Sequence, residues 1–581
     1  NVKLLRLICR KFGECKIFEE FFKDMKDLRV FELEGMYIQV PSSIQLSTGL
    51  QTLCLIQCKI HSQLSMIGSL KKLEILSFYQ SFSDYSPIEF TNLCNLRSLD
   101  LRFRELNCPL RPGVLSGMKK LEELCLGCIP KEGEDQRCII EELSSLTSLH
   151  TFQISTLDPI LMQILKGRCL ENLDKFLILG TTSPLPGTTN QYFTRSLSLE
   201  DGIEASMLLL PVFNSLMKRT YHLHIEGAKV LKSVVSELDG DGFIYLKTLI
   251  LVSGDFEYLI DATNSIPNVT FGKLEYLELY KLPKLIEICN GNLPRGVIRP
   301  QLFCNLVSIK IIYCDTIRSL FRESVANSLV NLQWLSIDEC PILEKVVSTD
   351  ARENEVTETC KMLEFPKLKE VEPGNLSRFK GITSQSNRGV VHQTLFNQVT
   401  FPNMSVLNVS SLDCIVKLLG KEMPITSLHK LTYMSVNGCD KLMTIAEFDS
   451  IRLLQNLFSL DVGRCGALEV LFDFEVNSLV ALEDLKITSC KALEEIIGRE
   501  EDEKEENTSE KRNIVMDANA PSNLHHFTQV VSMDAKRNEV IDMPEFPRLR
   551  TIELLDLSSF KSFRSETDND GILQTLFNRS F

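Results

Sequence analysis

Between Leu306 and Cys340 the chain sets a pattern and then repeats it. Leu306-x-x-Ile309-x-Ile311-x-x-Cys314 is followed 26 residues later by Leu332-x-x-Leu335-x-Ile337-x-x-Cys340. Apolar residues at positions 4 and 6, with a polar one between them, have the period of two that marks a short strand buried on one face. The cysteine at position 9 is a small hydrophobe that closes the turn after the strand. The frame opens at Leu28/Phe31/Leu33 and fills every position at Leu50/Leu53/Leu55/Cys58/Ile60; Leu73, Leu96 and Leu121 continue it at 23 to 25 residues. After Ile129 it loosens, with units at Leu149, Leu173, Thr194 and Thr220. It restarts at Leu246 and Leu274, passes through the Leu306 and Leu332 pair, and goes on at Leu368, Met404, Leu431, Leu457, Leu482 and Leu549. One such unit cannot bury its apolar side alone, so the units must stack.

This frame is that of the leucine-rich repeat. It predicts an α/β repeat solenoid: a horseshoe with a parallel β-sheet on the concave face and short helical, extended or irregular segments on the convex face. A second regularity concerns the return. After the position-9 cysteine, apolar residues recur at +3, +6 and often +7, as in Cys314/Ile317/Leu320/Phe321 and Cys490/Leu493/Ile496/Ile497. These segments are brief and rich in Val, Ile and Phe, which predicts extended or irregular returns rather than long helices. An N-terminal block is expected at 1–242, looser after 128, and a C-terminal block at 243–581, with the boundary near Asp239-Gly240-Asp241-Gly242. Projecting loops are expected at Lys131–Arg137, Thr181–Gln191, 348–364 and 498–545. The last carries the run from Arg499 to Glu506, which is too charged to bury.

Composition narrows the function. A net charge of −14 repels phosphate backbones, so nucleic acid is not an expected partner. No apolar run approaches the roughly 18 to 20 residues of a membrane span. Of 19 cysteines, six (Cys58, Cys314, Cys340, Cys439, Cys465 and Cys490) fall at position 9 of the frame. Thiols used as packing material fit a reducing compartment, so a cytoplasmic location is expected. The chain opens on Asn1 rather than methionine, and a natural start is expected upstream.

The tails C-x-x-L-x-x-[ILV]-[IVF] and the repeat openings Phe365-Pro366-Lys367-Leu368, Phe401-Pro402-Asn403-Met404 and Phe546-Pro547-Arg548-Leu549 are similar to those of one family. They resemble the leucine-rich-repeat region of plant intracellular immune receptors with a coiled-coil and nucleotide-binding front end (NLR disease resistance proteins). The stretch from Leu216-Met217-Lys218-Arg219-Thr220 through Ser236-Glu237-Leu238-Asp239-Gly240-Asp241-Gly242-Phe243 resembles a segment typical of that family between its two repeat blocks. The resemblance implies a non-enzymatic module that senses a pathogen effector or a guarded host protein. It also implies that the solenoid restrains the nucleotide-binding domain of the same receptor until a ligand shifts the equilibrium. No G-x-x-x-x-G-K-[ST] phosphate loop occurs, so that domain is expected upstream of Asn1. No catalytic, cofactor or metal site is expected. A substrate-binding leucine-rich-repeat subunit of a ubiquitin ligase is the alternative, since cysteine at position 9 is common there too. Variable loops and Phe-Pro openings argue against it. An extracellular receptor ectodomain would favour Asn at position 9 and Gly-x-Ile-Pro tails, which are missing.

Residues flanking positions 4 and 6 point to the other side of the strand, and aligned strands gather them into one surface. That row includes Tyr79, Asp100, Arg102, His222, His224, Tyr276, Glu278, Tyr280, Lys310, Trp334, Asp338, Tyr433, Asp461 and Lys486. Aromatics with polar handles dominate binding hot spots, so Tyr276, Tyr280, Trp334 and Tyr433 are expected to belong to a protein-binding stripe, with Tyr79, Arg102, His222, His224, Lys310 and Asp338 as further candidate protein-binding residues on the concave face. His222 and His224 lack further ligands at zinc spacing and read as a solvated pair. Cys125-x-x-Cys128 lies partly within a repeat strand and reads as packing.

Overall fold

The computed structural model describes all residues except 1, 16, 84–89, 105–109, 130–133, 155–172, 180–194, 200–204, 264–265, 268, 292–301, 349–361, 384–393, 397–398, 421–422, 425, 448–449, 474–478, 499–527, 533–546, 561 and 565–581. The expected loop at Thr181–Gln191 lies outside the described residues, as do 349–361, 499–527 and 533–546 of the two later ones. The chain folds as two units, Asn1–Phe256 and Glu257–Phe581.

In the first unit every frame becomes a strand. Val30–Ile38, Thr52–Ile56, Ile75–Ser77, Ser98–Leu101, Glu123–Leu126 and Thr151–Ile154 are followed by Lys175–Leu179, Ser196–Leu199, His222–Glu226 and Thr248–Val252. Neighbours are parallel and pair position 4 with position 4, so that Phe31 faces Leu53, Leu53 faces Leu76 and Leu124 faces Phe152. The Thr194 frame is offset by two, with Leu197 opposite Ile178. A two-residue shift keeps the same side chains inward, where a one-residue shift would have reversed them. A further strand, Leu4–Cys15, precedes the first expected one and places Leu5 and Leu7 opposite Phe31 and Leu33. It fits the frame with Val2 at position 1, but Leu4 and Ile8 fill polar positions and hide the alternation.

Returns in this unit are short 3-10 turns such as Ser42–Leu46 and Ser65–Ser69, and helices Glu134–Ser144, Pro211–Met217 and Val234–Leu238. The expected loop at Lys131–Arg137 is therefore corrected, since Glu134 to Arg137 form the first turn of a helix. Glu134 and Asp135 favour that N-terminus, and Ile139, Ile140 and Leu143 supply a buried face at helical spacing. Further along, the Glu142 carboxylate accepts the backbone N–H of Leu115 at 2.8 Å and of Ser116 at 3.1 Å, which caps the turn of the preceding repeat. The segment resembling the family's inter-block signature is built as one piece. Lys218 pairs with Asp241 at 2.6 Å, and Asn214 Nδ2 donates to the Leu238 carbonyl at 2.9 Å. The buried Asp239 carboxylate accepts the N–H of Asp241 at 3.1 Å and of Phe243 at 2.9 Å.

In the second unit the repeat strands are Tyr276–Tyr280, Ser308–Ile312, Trp334–Asp338, Glu370–Gly374, Val406–Ser410, Tyr433–Asn437, Ser459–Gly463, Asp484–Thr488 and Thr551–Leu555, again parallel. Ile309 and Ile311 are fully buried, as the frame requires. The returns here are extended, as their Val, Ile and Phe content predicts. Ser319–Arg322, Lys345–Ser348 and Gly381–Thr383 form a three-stranded sheet, and Ala446–Glu447, Val470–Asp473, Glu495–Gly498 and Ser562–Arg564 a four-stranded one. The core lies between the two layers. At position 9 the buried thiols of Cys340 and Cys465 donate to carbonyls two residues earlier, at 3.3 and 3.4 Å, and those of Cys439 and Cys490 do the same at 3.6 Å each. Phenylalanines three residues before position 1 stack between repeats: Phe271 on Phe303 at 5.4 Å and Phe365 on Phe401 at 5.9 Å. Within the region 498–545, Thr528–Ser532 forms a strand antiparallel to Thr551–Leu555. Among the described residues, no helix is long and apolar enough to cross a membrane.

Candidate functional site

Register decides which outward side chains meet on the second unit's sheet. One row runs Tyr276, Ser308, Trp334, Glu370, Val406, Tyr433, each opposite the next; a second runs Glu278, Lys310, Ser336, Glu372; a third runs Tyr280, Ile312, Asp338, Gly374. Lys310 stands at the centre, its Nζ 5.7 Å from the Tyr280 ring centroid and 6.0 Å from that of Trp334. An ammonium at that range is attracted to the negative faces of both rings. The Tyr280 hydroxyl donates to Glu278 at 2.8 Å, and burial together with this carboxylate pushes the phenol's pKa up. Asp338 Oδ1 accepts from the Asn375 amide at 2.8 Å. Tyr276, Tyr280, Lys310, Trp334 and Asp338 are thus brought together on three adjacent strands, with Tyr276 still 45% exposed.

Tyr313, an exposed aromatic just past the Lys310 strand, was missed in the sequence. It follows the Ser308–Ile312 strand at position 8, where φ is +58°, and is 49% exposed. Its place between Ile311 and Cys314 was the available signal. Tyr433 is not part of the cluster. It lies three strands beyond Trp334, about 14 Å at the usual strand spacing, and lines a separate hollow with Phe458, Lys430 and Arg548. Asp461 and Lys486 face a third place, a polar cleft of about 600 Å³ bounded also by Ser410, Asn437, Arg464 and Thr488. Next to Trp334, Glu370 and Glu372 share the Asn408 amide, whose Nδ2 lies 3.5 and 3.1 Å from them. Burial, and then the charge of Glu372, raise the Glu370 pKa above 4.5.

In the first unit Tyr79 and Arg102 do meet. The guanidinium lies 4.3 Å from the Tyr79 ring centroid, bonds Asp100 through Nε at 2.9 Å, and reaches Gln153 through Nη1 at 2.7 Å. It thereby spans the intervening strand that carries Cys125. That thiol is 8% exposed, and burial, then Asp100, push its pKa up to about 12. The expectation of a solvated histidine pair is corrected for His224, which is 7% exposed and bonds Ser198 at 2.9 Å. It lies between Ser198 and the buried Ile250 of the neighbouring strands, and burial lowers its pKa. His222 is half-buried and lies 2.9 Å from the Thr248 hydroxyl. Among the described residues no group of three or more His, Cys, Asp or Glu is placed to hold a metal ion.

The leucine-rich-repeat family of RPS2-like plant disease resistance proteins matches residues 246–341 and 403–480. The disease resistance protein UNI of Arabidopsis thaliana is 26% identical over 284 residues, which is 45% of this chain and 30% of that protein, so the match spans less than a third of the relative. Among solved structures, a leucine-rich-repeat protein of Leptospira interrogans is 18% identical over 78% of this chain and 94% of its own, with a TM-score of 0.38. The leucine-rich-repeat ectodomain of the Arabidopsis receptor kinase HAESA, solved with an extended IDA peptide hormone, is 13% identical over 84% of this chain and 73% of its own, with a TM-score of 0.41. The chain is thus a leucine-rich-repeat array whose repeats at 246–341 and 403–480 are similar to those of plant disease resistance proteins.

Proposed function

We propose that this chain is the recognition module of a plant immune receptor, binding a pathogen effector or a guarded host protein on the sheet face of its second unit. The observation that carries the reading is Lys310 held between the rings of Tyr280 and half-buried Trp334, with exposed Tyr276 and Tyr313 on the same neighbouring strands, in an array whose repeats match those of disease resistance proteins. Aromatic residues with polar handles, standing on a rigid sheet, provide a large contact area with little side-chain entropy to lose. The role is binding rather than catalysis. The same repeats also restrain a nucleotide-binding domain of the receptor, and the protein ligand acts by preferring the released state. The setting is the cytoplasm, which the reduced thiols packed at position 9 support.

The test is Trp334→Ala in the receptor that carries this chain, read as defence signalling in leaf tissue and as capture of the partner. A drop in partner affinity of about tenfold or more is expected, the size of a moderate hot spot. Trp334→Ala with unchanged capture and signalling would overturn the reading.

A further inference from the structure

The face around Trp334 is aromatic and also acidic. Positions 3, 5, 7 and 8 of its four strands carry five carboxylates, Glu278, Asp338, Glu339, Glu370 and Glu372, against two cations, Lys281 and Lys310. At the strand starts Glu275 and Lys369 offset each other. Lys310 is engaged with the rings of Tyr280 and Trp334, and Glu278 is bonded to Tyr280. The carboxylates on the other side of Trp334, Glu370 and Glu372, share a neutral amide instead of a cation. Like charges held side by side on a half-buried face repel, and a cation brought by a ligand relieves that repulsion.

We propose that the partner surface recognised here is basic, presenting arginine or lysine side chains to Glu370 and Glu372 beside the indole of Trp334. The proposal rests on the reading of this face as the recognition surface and adds the chemistry of what it selects. An arginine suits the place in two ways: its fork bonds the carboxylates, and its plane stacks on an aromatic face. An acidic partner would meet the same carboxylates as repulsion, so the face discriminates as well as attracts.

Trp334 is the sole tryptophan of the chain, so indole emission reports on this face. The whole chain is titrated with a hexa-arginine peptide and, separately, with a hexa-glutamate peptide, while Trp334 emission is followed at low and high salt. The arginine peptide is expected to give a saturable change that weakens with salt, and the glutamate peptide none. The double variant Glu370→Gln with Glu372→Gln keeps the shape and is expected to weaken arginine-peptide binding about tenfold. Glu483→Gln with Glu494→Gln, which removes the same charge elsewhere, is expected to change it by less than about twofold. The proposal is overturned if the control pair weakens binding as much as the face pair, which is general attraction to a chain of net charge −14, or if the glutamate peptide is the one that perturbs Trp334. Circular dichroism of both double variants establishes that they are folded. These arms need no natural partner. If Trp334→Ala abolishes signalling while the arginine peptide fails, the recognition face stands and its basic preference falls.

Discussion

Val230 holds a backbone conformation that a β-branched residue avoids: φ is +77°, and the side chain is 79% exposed, so burial offers nothing in return. Val230→Gly is expected to raise stability by about 1 kcal/mol, the lower end of the cost of such strain, read as a higher urea midpoint. Position 8 of the frame shows the same left-handed geometry in many repeats, with φ of +58° at Tyr313, +52° at Glu339 and +52° at Arg464. The turn leaving each strand imposes it, and Tyr313, 49% exposed there, is available for contact. His224 gives a pH-dependent counterpart. Burial lowers its pKa below the 6.5 of an ordinary imidazole, so the unfolded chain takes up the proton more readily than the fold. Its contribution is complete above 6.5 and is lost as pH falls from there through the folded value. Urea midpoints between about pH 7.5 and 5 are expected to fall in the parent and to fall less in His224→Gln. Both effects escaped the sequence, because φ and burial depend on what surrounds a residue and not on its letter.

At the scale of elements, the alternating frame was enough to place the repeat strands, since positions 4 and 6 enter the core in every repeat from Leu28 through Leu482. What it did not supply was the stacking beside them. The Phe-Pro openings were visible as a motif, yet Phe271 and Phe303, which lack the proline, belong to the same buried layer and stack at 5.4 Å. Phe303→Ala is expected to cost about 3–5 kcal/mol, as for other buried phenylalanines, with chemical denaturation as the measurement. The helix at Glu134–Ser144 was misread as loop at its start because its charged first turn resembles one. Its helical identity is settled by Ile139, Ile140 and Leu143, which find a core to enter.

Over the whole molecule, stability in such arrays is a sum of repeat and neighbour terms, so damage spreads only as far as the stack transmits it. In the second unit, Phe303→Ala is therefore expected to speed amide exchange most in Tyr276–Tyr280, Ser308–Ile312 and Trp334–Asp338 and least in Asp484–Thr488. Hydrogen exchange with mass spectrometry resolves this, and uniform acceleration across the unit would contradict nearest-neighbour stacking. The candidate site is a property of the stack as well. Tyr280, Lys310 and Trp334 come from positions 7, 5 and 3 of three successive frames, and they meet on a diagonal because the strands pair in register. Tyr433, equally exposed in its own repeat, is excluded by the strands between.

The periodic apolar positions by themselves determined that the chain is a repeat array with a parallel sheet and which thiols close its turns. Those follow from one repeat's need to bury its own face, a local demand written in every unit. Only the tertiary structure decided that His224 is buried, that Tyr313 is exposed, and that Glu370 and Glu372 lie side by side next to Trp334. Each of these depends on how far one strand sits from another and on the width of the neighbouring side chains, quantities fixed only once the repeats have stacked.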